Sequence, residues 1–305
     1  MLRRDQNQRD EDETANQAVQ PGDQVRTGWE AIIDLALAED IGGGDVTTLA
    51  TVPPGTHAAG TLLAKATGVI SGVDVAGAVF RRVNPALDFQ IRIGDGRKVN
   101  PGDRIAAVSG SAHGILAAER VALNLLQRLS GVATLTAVYV QAVSGTNARI
   151  IDTRKTGPGL RILEKAAVRH GGGRNHRFGL SDGILIKDNH LAAIGGTDRM
   201  TRAVRQAAAF APHTMRVEVE VTTLAEVEEA VAAGADAILL DNMDLETMRQ
   251  AVELVAGRVI LEASGGVNLN SVRAIAETGV DLISVGALTH SAPALDISLD
   301  FAIEG

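Results

Sequence analysis

Between Arg149 and His190 the chain reads RIIDTRKTGPGLRILEKAAVRHGGGRNHRFGLSDGILIKDNH. This stretch sets Arg154, Lys155, Arg161, Arg169, Arg174, His176, Arg177 and Lys187 between apolar runs, in a molecule of formal net charge -8. Cations gathered against the sign of the whole chain, at glycine-rich turns, suit a pocket for a small ligand with several negative charges. Arg154 and Lys155 stand just past ARIID and shortly before a Gly-Pro-Gly turn, a placement that favours function. His176 and Arg177 lie in GGGRNHR, where glycines let backbone and ligand approach closely. Arg161 and Arg169 fall within a helical segment, where a solvated helix face is an equal reading. Lys187 follows GILI and has two readings: an anion ligand, or a Schiff-base nucleophile.

A second set is acidic or glycine-rich. Glu218 and Glu220 are two apart on a strand and share a side. Carboxylates inside a fold are costly unless they are paired or metal-bound. With Asp241 they could serve Mg²⁺, directly or through water, or hydrogen-bond sugar hydroxyls. An internal ion-pair network with Lys187 is the alternative, and for Glu218 both readings stay open. Ser264-Gly265-Gly266 and Val285-Gly286-Ala287 follow the last two apolar runs, and backbone N–H groups there suit a phosphate.

The elements that must position these residues alternate. From Ala148 onward six strand-like runs (ARIID, GILIKDN, MRVEVEVT, DAILLDN, VILEAS and LISVGA) are separated by amphipathic helical segments. This rhythm predicts a parallel sheet with βαβ connections, and six units favour a closed barrel with fewer than the usual eight strands. Nearly every run ends in polar or glycine residues, which would converge on one face. A doubly wound sheet is the alternative, weakened by the lack of a dinucleotide fingerprint or a P-loop.

Upstream, WEAIIDLALAED predicts a helix ended by IGGGD, and Asp45-Val46-Thr47-Thr48 leads toward short β segments. TLLAKATGVISG, DFQIRIGDGRKV and RIAAVSGSAHGI read as strands, VDVAGAVFRRVN as a helix between them, and LAAERVALNLLQRLSGVATLTAVYVQAV as a second long helix. The fold class is therefore α/β: an N-terminal α+β layer domain over residues 29–131, joined by a returning segment over 291–305, then a barrel over 132–290. Residues 1–28 are polar and read as a disordered tail.

Composition narrows the function classes. Aromatics are only 2% of the chain, which disfavours stacking platforms for nucleic acid, and the absence of cysteine removes thiolate chemistry. No apolar run of about 18 residues suggests a membrane span. A cytoplasmic enzyme without nucleic-acid or membrane partners is expected.

At these residues the chain resembles the quinolinate phosphoribosyltransferases, also called nicotinate-nucleotide pyrophosphorylases (carboxylating). The resemblance runs from EDIGGGDVTT through AERVALNLLQRLSG, DTRKTGPGLR, GGGRNHR, LIKDNH, EVEV, LLDN, ASGG and VGALTHS, which is nearly everything after the tail. It implies an incomplete α/β barrel and a homodimer, or a higher oligomer, whose subunits share active sites. It also implies conversion of quinolinate and phosphoribosyl pyrophosphate, with Mg²⁺ as cofactor, to nicotinate mononucleotide, pyrophosphate and carbon dioxide. By the same resemblance, Arg154, His176, Arg177 and Lys187 would hold the quinolinate carboxylates, with Arg120 lent by the partner subunit. Lys155 would face the pyrophosphate, Glu220 and Asp241 the ribose hydroxyls and the metal, and Ser264, Gly265 and Gly286 the 5′-phosphate. Lys155, Lys187, Glu220 and Asp241 are the catalytic candidates.

Two positions depart from the family pattern: Gly157 stands where threonine is frequent, and Ala263 where serine is. The competing readings are a Schiff-base aldolase using Lys187 and a ModD-like relative with a different substrate.

Overall fold

The computed structural model describes residues 28–303, so the expected tail lies outside the described residues except for Gly28. The first helix, α1 (Glu30–Ile41), buries Ile33 and Leu37, four residues apart, and stops at Gly42 with positive φ. The next segment departs from expectation. Val46–Thr51 is a short helix, α2, because the Asp45 side chain accepts the Thr48 N–H at 3.0 Å and caps a turn that the β-branched residues disguise.

Then come β1 (His57–Ala64), β2 (Gly68–Val69), α3 (Val73–Val83), β3 (Asp88–Ile91), β4 (Lys98–Val99) and β5 (Arg104–Ser111). The β2–β4 pair forms a small sheet of its own, so TLLAKATGVISG and DFQIRIGDGRKV are each divided between two sheets. The long helix α4 (Ala112–Ala142) starts earlier than its apolar run suggests, with Ser111 accepting the Gly114 N–H. It is long and apolar enough in composition to cross a membrane, yet it packs against α3, α5 (Arg161–His170) and β1, with its apolar residues largely buried. It continues without a break through residues 131 and 132.

Six parallel strands follow: β6 (Arg149–Ile151), β7 (Ile184–Ile186), β8 (Val217–Val221), β9 (Ala237–Asp241), β10 (Ile260–Ser264) and β11 (Leu282–Ser284). Between them lie α5, α6 (Asp188–Ile194), α7 (Arg199–Phe210), α8 (Leu224–Ala233), α9 (Leu245–Val255) and α10 (Val272–Ala276), with α11 (Ala287–His290) after β11. The strand order is β6-β11-β10-β9-β8-β7. The architecture is thus an incomplete parallel α/β barrel, as the family resemblance implied, and not the closed form that the six-unit alternation alone favours. Its open seam lies between β6 and β7, and on the β6 side Ile151 makes a single parallel bridge to Arg174 of the loop after α5. The reason is local: the chain after α5 is a glycine-rich loop, too irregular to supply a further strand.

Period-two alternation decides what enters the barrel. Val217, Val219 and Val221 are buried against the helical layer, which turns Glu218 and Glu220 inward. On β10, Leu261 and Ala263 face the helices, and Glu262 and Ser264 face inward. The chain then returns: β12 (Ile297–Ile303) pairs antiparallel with β1, completing a sheet of order β12-β1-β5-β3. The returning segment presses on α4 at Gly131, where a Cβ would collide with the Pro293 carbonyl oxygen.

Candidate active site

The site is built upward from one buried ion pair. Asp152, the residue after β6, is 0% exposed and Lys165 of α5 is 2% exposed, with Nζ 2.5 Å from Oδ1. Burial pushes the Lys165 amine down, and the Asp152 hydrogen bond and charge oppose that push. The pair also shapes the loop before β7. Asp152 accepts the His176 N–H at 2.9 Å and the Asn175 side-chain amide at 2.6 Å, and Lys165 Nζ donates to the His176 carbonyl at 3.0 Å. An unpaired buried charge is strongly destabilising, so each partner fixes the other and the loop with it.

On this clamp sit the cations. Arg177 donates through Nη1 to the Gly183 carbonyl at 2.9 Å. Burial, and then the nearby positive charge of Arg154, lower its pKa. The Nε–H groups of Arg154 and Arg177 are both buried without a hydrogen-bond partner. Among the described residues, neither arginine nor Lys155 has an ion-pair partner within 4.0 Å. Lys155 is held from the rear, its carbonyl accepting the Thr289 hydroxyl at 2.8 Å. Its stem lies against Gly286, where a Cβ would meet Lys155 Cδ and His290 Nε2 at 3.2 Å. Arg161 is a loop brace, donating to the Thr156 hydroxyl and to the carbonyls of Arg154 and Phe178. Arg169 holds Asn175 in the same way, at 2.7 Å.

The acidic half lies on β8, β9 and β10. Lys187, at the N-cap of α6 directly after β7, pairs with Glu220 at 2.7 Å. Glu218 takes a different partner, His176 Nε2 at 3.1 Å, with Glu262 Oε2 also 3.7 Å from that nitrogen. Burial lowers the His176 pKa, but the hydrogen bond to Glu218 and the charges of Glu262 and Glu218 outweigh it and leave a net rise. Glu262 is pushed up to about 8, by burial first and the Glu218 charge second. Asp241 ends β9 beside Ser264 of β10, and its Oδ2 accepts from the Asn242 side chain at 3.0 Å. Gly265 and Gly266 both take positive φ, and a Cβ on Gly265 would strike the Asn242 side chain.

The structure therefore brings Arg154, Lys155, His176, Arg177, Lys187, Glu220, Asp241, Ser264, Gly265 and Gly286 to the carboxyl ends of the barrel strands and the loops beyond them. It does not bring Arg120 there: that residue is exposed on α4, and no described contact joins it to the cluster. Ala263 faces the helical layer, so the hydroxyl it lacks would not point into the barrel. The Gly157 N–H donates to Glu164 at 2.9 Å, and a Cβ there would come within 3.3 Å of Leu160. Sequence reasoning passes over Lys165, Asn175, Ser284 and Thr289, and counts Glu262 only as one of the polar strand-end residues, with no role of its own. For Glu262 and Ser284 a signal existed, since each has the inward parity of its strand; for Lys165 and Asn175 there was none.

Comparison with known proteins shows the family. Two family models match: Quinolinate phosphoribosyl transferase, N-terminal domain, over residues 45–130, and the C-terminal domain of the same family over residues 132–300. The chain is 47% identical over 274 residues to nicotinate-nucleotide pyrophosphorylase (carboxylating) of Mycobacterium leprae, covering 88% of this chain and 95% of that protein. It is 45% identical over 302 residues to the chloroplastic nicotinate-nucleotide pyrophosphorylase (carboxylating) of Arabidopsis thaliana, covering 94% and 86%. The crystal structure of NadC from Streptococcus pyogenes superposes with a TM-score of 0.86 at 43% identity, covering 91% of this chain and 97% of that one.

Proposed function

We propose a working arrangement for this site from one premise: the chain belongs to the quinolinate phosphoribosyltransferase family. It is a decarboxylating phosphoribosyltransferase of NAD biosynthesis, and its substrates are quinolinate and phosphoribosyl pyrophosphate. One observation carries the assignment of the pocket. Arg154 and Arg177 stand close enough to repel each other, with orphaned Nε–H groups and, among the described residues, no ion-pair partner within 4.0 Å, while Glu218 and Asp182 offset the Arg177 charge only in part. A dicarboxylate supplies the missing acceptors and charge.

In this reading Arg154, His176, Arg177 and Lys187 form the quinolinate side, and Lys155 faces the pyrophosphate. Ser264, Gly265 and Gly286 offer backbone and hydroxyl donors to the 5′-phosphate. Among the described residues Glu220 uses only Oε2, toward Lys187, and Asp241 only Oδ2, toward Asn242, so each keeps an oxygen for a ribose hydroxyl or a cation. Two carboxylates on adjacent strands fit Mg²⁺, which is usually held by one or two carboxylates together with substrate phosphates. When bound, that ion supplies charge neutralisation to the departing pyrophosphate. Arg120, exposed and remote from its own cluster, completes the pocket of a partner subunit in a homodimer. We also read the chain as cytoplasmic, with α4 serving as a core helix.

The chemistry then needs little beyond positioning and fixed charge. The quinolinate nitrogen attacks ribose C1 as the bond to pyrophosphate breaks, and Glu220 and Asp241 stabilise the positive charge that develops on the ribose. The pyridinium so formed accepts the electron pair of the breaking carboxylate bond, carbon dioxide leaves, and the ring carbon takes a proton. No protein nucleophile is required. The Schiff-base reading of Lys187 is disfavoured by its engagement with Glu220. The test is incubation with quinolinate, phosphoribosyl pyrophosphate and Mg²⁺. Nicotinate mononucleotide and carbon dioxide are expected in equal amounts, and no turnover, or equal turnover with nicotinate, overturns the reading.

A further inference from the structure

Behind the strand-end cluster the barrel is hollow. A cavity of about 940 Å³ opens at the amino ends of the strands, past Arg149, Arg174, Arg216 and Asp281, and reaches inward to His176, Glu218 and Glu262. At its inner end two carboxylates share one imidazole. His176 Nδ1 accepts the Arg177 N–H at 2.7 Å, which leaves the ring proton on Nε2, facing Glu218 at 3.1 Å and Glu262 at 3.7 Å.

The two carboxylates raise the His176 pKa, but with Nδ1 occupied as an acceptor the ring holds a proton on Nε2 alone in this geometry. One Nε2–H cannot serve two buried anions, so one carboxyl keeps a proton. Geometry assigns it to Glu262. Glu218 already receives the Nε2–H, whereas Glu262 is 1% exposed and its Oε1 has no hydrogen-bond partner. The direction of its shift agrees, since burial and Glu218 raise it against the pull of His176 and the Ser284 hydroxyl. The charged and titratable groups around it are Glu218 on β8 and His176 and Arg177 on the seam loop, with Arg149 farther along the cavity wall on β6. β9 presents Leu239 beside it, and β11 presents Leu282 and Ser284. The trio places three potential ligand atoms within 4.8 Å of one another, but Nε2 is committed as a donor and Arg177 stands adjacent, which suits a proton better than a metal ion.

We propose that Glu262 is a positioning residue for the dicarboxylate substrate and works as a neutral acid. With its proton in place, Glu218 alone takes the Nε2–H of His176, and the ring keeps Nδ1 on the Arg177 backbone. The floor of the dianion pocket then carries one negative charge instead of two. When the proton leaves, two carboxylates repel each other and compete for one Nε2–H. The ring loses its fixed tilt, and a second negative charge opposes a dianionic ligand. The rear cavity gives this proton a route to water that does not cross the substrate side.

The proposal rests on the quinolinate reading above. Its test is the KM for each substrate, measured from about pH 6 to about pH 9.5 on the wild-type enzyme and on Glu262→Gln. The wild-type KM for quinolinate should rise above about pH 8, by up to about tenfold per pH unit, while that for phosphoribosyl pyrophosphate stays level. Glu262→Gln, neutral at every pH, should abolish the rise. Calorimetry of quinolinate binding to wild-type protein in two buffers of different ionisation enthalpy provides a measurement independent of the variant's folding. It should show uptake of about one proton at about pH 9 and none at about pH 7. A pH-independent quinolinate KM, a rise that persists in Glu262→Gln, or binding without proton uptake each overturns the proposal. Absence of any quinolinate turnover overturns the family reading instead.

Discussion

Lys187 Nζ stands 2.7 Å from Glu220 Oε2, joining β7 to β8 at the carboxyl end of the barrel, on the edge of its open seam. The two side chains are 45% and 15% exposed, so as a structural bond the pair contributes at most about 1 kcal/mol. As a site element it does more, because it orients a cation toward the quinolinate side and a carboxylate toward the ribose. Lys187→Met should therefore leave the thermal midpoint within a few degrees of wild type and lower kcat/KM for quinolinate by about 10²- to 10³-fold. Steady-state kinetics beside a thermal melt checks both halves. A large loss of stability with modest kinetic change would reverse the assignment.

Lys165→Met should show the opposite pattern. It strands Asp152 in the interior, with only the Asn175 amide and the His176 N–H left to it. Loss of about 3–5 kcal/mol is expected in urea unfolding. A variant as stable as wild type would mean that Asp152 does not depend on Lys165 in solution.

The protonated state of Glu262 has a signature in stability as well as in catalysis. Its folded pKa, about 8, lies above the ordinary value of 4.5. Between those values the folded state binds one proton more than the unfolded chain, so this group's contribution is fully present below about 4.5 and is lost as pH rises to about 8. The wild-type unfolding free energy should accordingly fall relative to Glu262→Gln across that window, by up to about 1.4 kcal/mol per pH unit. Parallel curves for the two proteins in chemical unfolding at several pH values would contradict the shift.

Arg120→Ala and Lys187→Ala place their lesions in different parts of the shared pocket. Each protein alone should be nearly inactive. Mixing them through a dissociation and reassociation step should restore up to about a quarter of wild-type activity, because mixed dimers contain one intact site. Failure of every mixture to recover activity would show that Arg120 acts within its own subunit or not at all.

Much of the barrel was legible because its strands are buried on both faces and flanked by amphipathic helices, so the six runs from ARIID to LISVGA all appear as strands. The seam was not legible from the alternation alone, because nothing in the strand count says whether β6 and β7 meet. The helix α2 was hidden by valine and threonines that favour strands, and only the Asp45 cap reveals it. At the site, positions immediately after strands could be read from order alone. Pairings could not: the sequence left Glu218 open to Lys187, whereas the fold gives Lys187 to Glu220 and His176 to Glu218. Glu262 lies inside the barrel two positions before Ser264, and only the convergence of β8, β10 and the seam loop shows that it has a proton to keep.

The two family models abut at residues 130 and 132, but the polypeptide has no joint there. Residue 131 is a glycine in the middle of a 31-residue helix, about 46 Å of continuous rod, and the closing segment of the chain is seated on it at Pro293. A boundary drawn by descent therefore falls inside a single continuous helix. Each fragment would inherit half a rod with its apolar side bare, and the first would also lack the β12 strand that ends the second. The two regions share one helix and one closing strand.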